Sequence, residues 1–285
     1  MSHTRGMSRE CHDANNYQGV WMTLVSAVIK ARNEAENIGP CIRSLSGFAD
    51  EIIVVDDQSS DSTRQIALDC GAIVLSGISH EGQINRLDAQ GFHAANGKYL
   101  LRLDADERLT PGLAFLLKKV ATEGHYAGVR YPRRYYFFNG WLDHGGWFRS
   151  EQLGFFRNDA WDPNWNFDIH SQVTVNGKIL TLPAEVSACM LHLDYFTVQE
   201  FIERSLFKYA KLEASERIRD GYVFSPRTMA SNALRRGVGR YFLRSGYKDG
   251  ARGAIVAGLL VAYEICVSAY AWDLARNDSN EATVV

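Results

Sequence analysis

No two of the five cysteines form a CxxC pair, and none stands at the spacing of a zinc site. Cys11, Cys41, Cys70, Cys189 and Cys266 are scattered and odd in number. That usage fits reduced thiols in a cytosolic compartment better than a disulfide framework. An excess of one charge sign is also missing. The 31 Lys and Arg against 33 Asp and Glu leave a net charge of −2, which gives no reason to expect nucleic acid as a partner. The dinucleotide fingerprint GxGxxG is absent after the first strand, which argues against a dehydrogenase. Internal repeats and low-complexity segments are absent as well. The opening run MSHTRGMSRECHDANNYQGVW is polar and lacks the apolar stretch of a secretory signal, so none is expected and residues 1–22 read as a flexible tail.

What is present is an alternation of short apolar runs with helical spacing. LVSAVI, EIIVV, Ala72–Leu75 and Tyr99–Leu103 read as four strands, the second nearly continuous in apolar residues, as a parallel strand covered on both faces should be. Between them, Glu34–Leu45, the stretch after Asp61 and Gln83–Ala95 carry apolar residues at helical intervals. This spacing predicts an α/β fold with a mainly parallel sheet, right-handed crossovers and flanking helices. A chain of 285 residues with 46% hydrophobic content can bury one large core, or one core plus an appendage.

The fourth strand runs into Asp104-Ala105-Asp106, in YLLRLDADE. Residues two apart on an extended segment share a side, so the two carboxylates repel unless a cation sits between them or one takes a proton. A hard divalent ion, Mn²⁺ or Mg²⁺, suits such oxygens. The alternative is an acidic surface turn. The position at the carboxyl end of a strand favours a ligand site, because open α/β sheets bind ligands there.

Beyond a helix from Pro111 to Val120 the texture changes. Val129–Trp147 is rich in aromatics, Arg, His and Gly, and Leu153–Arg157 and Gln172–Leu182 read as further strands. From Thr197 the pattern is helical. Basic residues Arg235, Arg236, Arg240, Arg244, Lys248 and Arg252 precede Gly253–Trp272, an apolar run of about bilayer length broken by Glu264. Three readings stay open for this run: a buried helix, a helix lying in a membrane interface, and a true span.

The combination of VSAVIKARNEAENIGPCIRSL, ADEIIVVDDQSSDST and ANGKYLLRLDADERL resembles the family-2 inverting glycosyltransferases of GT-A fold. YPRRYYFFNGWLDHGGW with QLGFFR is similar to the branch that adds glucose to the heptose of bacterial lipopolysaccharide core. The resemblance implies a Rossmann-like GT-A domain over residues 23–196, with a nucleotide-sugar half (23–110) and an acceptor half (111–196). A C-terminal helical region follows over 197–285. It also implies a nucleotide-sugar donor, usually a UDP-sugar, and a divalent metal cofactor. Glu34, Asp56 or Asp57, and Asn85 match positions bordering the donor, and Asp104 and Asp106 match the metal-holding pair. The implied acceptor is a cell-surface glycan or lipid-linked molecule at the inner leaflet of the membrane, which the enzyme meets from the cytoplasmic side.

Inversion requires a general base opposite the leaving group. That branch carries His-Glu where this chain has His170-Ser171, so the usual carboxylate has moved or gone. Glu151, Asp168 and Asp143 are the candidates, in that order, and His170 and His192 are candidates for a further metal ligand. Two other readings stay open: a polyprenyl-phosphate sugar transferase, whose ionised acceptor needs no base, and a nucleotide-sugar-binding protein without turnover.

Overall fold

The structure, a computed structural model, describes residues 23–281 apart from 80–82, 149, 166 and 168–170. Strand β1 (Val25–Ala31) is buried except at Lys30. Helix α1 (Ala35–Ser44) turns Ile38, Cys41 and Ile42 inward, and β2 (Glu51–Asp56) pairs parallel with β1. Helix α2 (Thr63–Asp69) follows. The Asp61 carboxylate ties its start to that of α1, accepting from Thr63 N at 2.9 Å and Ala35 N at 3.1 Å. Then come β3 (Ile73–Ser76), α3 (Arg86–Ala94) and β4 (Tyr99–Asp104). Helix α3 approaches β1 closely at Gly91, where an added Cβ would stand 2.2 Å from Val28 Cγ1, so only glycine permits this packing.

The second half consists of β5 (Glu107–Leu109), α4 (Pro111–Glu123), β6 (Gly128–Phe137), β7 (Gly140–Leu142), β8 (Ser150–Arg157), β9 (Ile179–Thr181) and β10 (Met190–Tyr195). Thr110 caps α4 by accepting from Leu113 N, and Pro111 occupies the first turn, where its missing N–H costs nothing.

The sheet order is β3-β2-β1-β4-β8-β6-β10-β5, with β7 and β9 also pairing with β6. Strands β3 to β4 are parallel, as the alternation predicts. The rest corrects the expectation of a mainly parallel sheet: β8 is antiparallel to both β4 and β6, β10 is parallel to β6, and β5 is antiparallel to β10. The physical reason is the connections. Antiparallel neighbours need no helical crossover, and between Phe137 and Met190 no helix occurs among the described residues. Tyr99, Tyr131 and Phe155 lie in the main core beneath β1 and β4.

The C-terminal region is helical as expected. Helix α5 (Val198–Phe201) starts with a Thr197–Glu200 capping box and continues through the π-helical segment Ile202–Tyr209 into α6 (Ala210–Arg219). Helix α7 (Pro226–Ala233) passes through a second π segment, Leu234–Val238, into α8 (Gly239–Phe242). A short 3₁₀ turn, Gly246–Asp249, leads to α9 (Gly250–Glu281).

One face of α9 is buried. Val256 and Leu260 pack with Phe137, Leu142, Tyr195 and Phe201, and Val267 and Ala271 pack with Ala210 and Ala214. Gly246–Arg276 is long and apolar enough to cross a membrane by length and composition alone, and 39% of its apolar window is buried against the protein. The basic positions do not form one outward stripe. Arg236 pairs with Glu213 and Glu264, Arg240 stacks on Trp147, and Arg252 reaches the Asn139 carbonyl. Arg235, Arg244 and Lys248 stay exposed.

Candidate active site

The turn from β4 to β5 brings Asp104 and Asp106 to the carboxyl end of the parallel half-sheet, with different partners for each. Asp104 forms an ion pair with Lys30 and lies 3.5 Å from Arg133 Nη2. Its neighbour Asp88 is in turn paired with Arg102 at 2.7 Å and Lys30 at 3.3 Å. Burial works against the Asp104 charge, but Lys30, Arg102 and Arg133 outweigh it and hold the carboxyl well below its usual range.

Asp106 faces the other way. Its Oδ2 is 3.6 Å from His192 Nε2, and that nitrogen is 3.8 Å from Asp194 Oδ1. Burial raises the Asp106 pKa; His192 opposes this, and the Asp104 and Glu107 charges push it further up. Burial likewise lifts Asp194 to about 6 against the pull of His192, with Asp106 adding to the rise. His192 resists its own burial because Asp106, Glu107 and Asp194 surround it, and it is pushed up to about 10.

Backbone pairing makes this meeting possible. Strand β10 runs antiparallel to β5 with His192 opposite Glu107, and Leu193 N donates to the Asp106 carbonyl at 2.9 Å. His192 and Asp194, two apart on a strand, point to the same side. The His192 ring stacks on Tyr135 at 5.0 Å, and its Nδ1 lies 3.6 Å from Glu107 Oε1, which orients the other nitrogen toward Asp106.

One ligand atom from each of Asp106, His192 and Asp194 lies within 4.8 Å of the others. Asp106 Oδ1 is buried without a hydrogen-bond partner among the described residues. Two carboxylates and an imidazole suit a divalent cation such as Mn²⁺ or Mg²⁺, and an orphaned buried oxygen is what such an ion would satisfy. The residues fit. The proton held on His192 is the one an ion would displace.

These groups open onto a cleft of about 680 Å³, within the usual range for small-molecule sites. Glu34, Asp57 and Asn85 line it. Asp57 accepts from Ser79 N at 2.8 Å and Ser79 Oγ at 2.6 Å, and Asn85 Oδ1 accepts from Arg102 at 3.0 Å. Burial and the Asp106 charge raise Glu34, whose carboxylate accepts from Asn37. Asp56 is buried one residue back, at the end of β2, and does not border the cleft. Aromatic residues Phe137, Trp147, Tyr195, Phe201 and Tyr263 also line the cleft.

The two candidate bases among the described residues do not gather there. Glu151 is exposed on β8, opposite Pro132, and Asp143 is held by Arg134 through hydrogen bonds of 2.7 and 2.9 Å; neither lines the cleft. Asp168 and His170 lie outside the described residues. Asp194, Lys30 and Arg133 are the site residues that sequence reasoning missed. The signal for Asp194 was the H-x-D spacing in MLHLDY, a second same-side pair like Asp104 and Asp106.

Residues 26–180 match the profile of a family described as glycosyl transferase family 2. The chain belongs to that family. Shorter likenesses connect this family-2 glycosyltransferase to curated proteins. It is 38% identical over 93 residues to a TPR repeat-containing protein of Synechococcus elongatus, covering 33% of this chain and 23% of that one. It is 36% identical over 94 residues to an uncharacterized glycosyltransferase of Rickettsia felis, covering 32% of each. The chain thus spans a third or less of the length of these curated relatives. Among solved structures, mannosyl-3-phosphoglycerate synthase from Rubrobacter xylanophilus is 27% identical over 40% of this chain and 41% of that one, with a TM-score of 0.34.

Proposed function

We propose that this family-2 glycosyltransferase moves a sugar, a hexose from a UDP-sugar, to a cell-surface glycan or lipid-linked acceptor such as lipopolysaccharide core, with inversion by direct displacement. The observation that carries this reading is the convergence of Asp106, His192 and Asp194 in the lining of a cleft that also carries Glu34, Asp57, Asn85 and several aromatic rings. A divalent ion there supplies charge stabilisation for a leaving diphosphate, which gains negative charge as the C1–O bond breaks. Asp106, His192 and Asp194 would hold it, and Glu107 orients His192. Glu34, Asp57 and Asn85 border the nucleotide end, in line with the resemblance. Trp147 and Tyr195 add aromatic surface to the lining, with Arg240 and Arg204 over their rings.

Transfer to a polyprenyl phosphate is the second reading. It is favoured by the absence of Glu151 and Asp143 from the cleft wall, since an ionised acceptor needs no base. The acceptor in both readings is drawn from a membrane. Leu234, Phe242, Leu243, Tyr247 and Ile255 are exposed on consecutive helical elements, with Leu243 at 88%. The only acidic residues between Gly221 and Trp272 are Asp249 and Glu264, and both are buried in pairs. An outward surface of apolar and cationic groups suits the anionic inner leaflet, with the protein peripheral on its cytoplasmic side.

The test is donor binding and hydrolysis with UDP-, GDP- and ADP-hexoses, with Mn²⁺ and with chelator, followed by an acceptor screen. Metal-dependent binding of one nucleotide-sugar supports the reading. Absence of binding to all three with Mn²⁺ present would overturn it.

A further inference from the structure

The helical side of the cleft is cationic, and its cations stand on an unusual backbone. Arg204 and Lys208 both line the cleft from the π-helical segment Ile202–Tyr209. Such segments are rare and occur frequently at functional sites. Arg204 is fixed in place: one Nη donates to the Asp194 carbonyl at 3.1 Å, and the guanidinium lies over the Tyr195 ring at 5.1 Å. It is thereby anchored to the strand that carries His192 and Asp194. The Lys208 ammonium is exposed beside the Tyr209 ring.

Among the described residues, no carboxylate oxygen lies within 4 Å of the charged nitrogens of Arg204 or Lys208. The neighbouring arginines differ. Arg217 and Arg236 are both bound to Glu213 and Glu264. The fold therefore holds the arginines that join its helices in close ion pairs, whereas Arg204 and Lys208 face the cleft without one, and Arg204 feels the charges of Asp194, Asp106 and Glu34 only from farther off. A guanidinium anchored through one N–H keeps donors for a second partner.

We propose that Arg204 and Lys208 form a subsite for a phosphoryl group in the cleft that Asp106 also lines. The inference rests on reading the cleft as a glycosyl-transfer site. A planar guanidinium fork beside a mobile ammonium matches tetrahedral phosphoryl oxygens, the first giving direction and the second a point charge. Two ligands carry this chemistry: the diphosphate of the donor and a phosphate on the acceptor. The same wall continues through Leu260 and Tyr263, so an anion seated there can carry an apolar portion.

The experiment compares wild type with Arg204→Gln, Arg204→Lys and Lys208→Gln, titrated with Mn²⁺ alone, with UDP in the presence of Mn²⁺, and with dodecyl phosphate. Lys208 is exposed, so its variant keeps the fold, and Arg204→Lys keeps the charge. The subsite predicts about a tenfold or greater loss of affinity for a phosphoryl ligand in both Gln variants, the size of a lost charge-assisted hydrogen bond. Affinity for Mn²⁺ alone should be retained, with partial recovery of phosphoryl binding in Arg204→Lys. Loss confined to UDP assigns the subsite to the donor, and loss confined to dodecyl phosphate assigns it to the acceptor. If all variants bind both ligands as wild type does, or if wild type binds neither, the subsite is refuted. Wild type that binds Mn²⁺ and dodecyl phosphate but not UDP refutes the UDP-donor reading, while the dodecyl phosphate titration still decides the subsite.

Discussion

Arg217 on α6 grips Glu264 on α9 through two hydrogen bonds of 2.6 and 2.9 Å, joining residues 47 apart in sequence. Arg236 adds a third bond to the same carboxylate at 2.8 Å. Glu264 is 1% exposed, so the carboxylate that interrupts the apolar run is the clasp of the C-terminal helices.

Removing that clasp should destabilise the protein. Glu264→Gln leaves the two partly buried arginines with Glu213 as their remaining counter-charge, and breaking such a pair costs about 3–5 kcal/mol. The lower end is expected because both arginines keep some contact with water. Burial raises the Glu264 pKa, but Arg217 and Arg236 outweigh it, and the folded value lies below the ordinary one. The stabilisation is therefore fully present above about pH 4.3 and fades as pH falls through the folded value. Urea unfolding at pH 7 and at low pH reads both effects. A variant as stable as wild type at pH 7 contradicts the assignment.

Asp104 and Asp106 should respond oppositely to neutralisation. Without metal, Asp104→Asn leaves Lys30 to Asp88 and Arg133 to Glu107, and should lower stability by roughly 1.5–3 kcal/mol, the worth of a charge-assisted hydrogen bond. Asp106→Asn relieves repulsion from Asp104 and Glu107, and should melt at or above wild type in chelator. Its turnover should fall by about a hundredfold or more, because a Lewis acid is worth several kcal/mol. Thermal melts and Mn²⁺ titration of both variants check the contrast. Equal melting points would refute it.

Glu151→Gln and Asp143→Asn should leave transfer within about threefold of wild type, because a base must stand within hydrogen-bond reach of the proton it removes. Steady-state rates on a common acceptor decide the matter. A loss of about 10²–10⁴-fold in either variant would restore that residue as the base. The same measurement on Asp168→Asn tests the remaining candidate.

Membrane attachment should depend on Phe242 and Leu243. Replacing either with Glu should weaken binding to vesicles of anionic lipid by about tenfold or more, since burying such a side chain is worth about 1.5–3 kcal/mol. Added salt should weaken the wild type too, through Arg235, Arg244 and Lys248. Flotation assays with unchanged binding would show that this surface faces water.

The parallel half of the sheet was legible because buried parallel strands carry their signature locally, as EIIVV does. The acceptor half was not. Strand β10, Met190–Tyr195, alternates apolar residues with His192 and Asp194, but nothing in that run says which strands it joins. Pairing between strands distant in sequence leaves little local trace. The same limit hid the fate of Arg236. Its charge was visible, but Glu213, which turns it inward, lies on another helix. Asp106 was legible for a different reason: its spacing from Asp104 and its place at a strand end are both local facts.

The ladder between β5 and β10 has an evolutionary consequence. Its register seats Glu107 against His192, so the segments bearing Asp106, His192 and Asp194 are stitched directly together. Strand β6 braces β10 on its other side, whereas the turn between β6 and β7 belongs to neither ladder with β10. A lineage can therefore rewrite such connecting turns and acquire new acceptors, while inheriting Asp106, His192 and Asp194 unaltered.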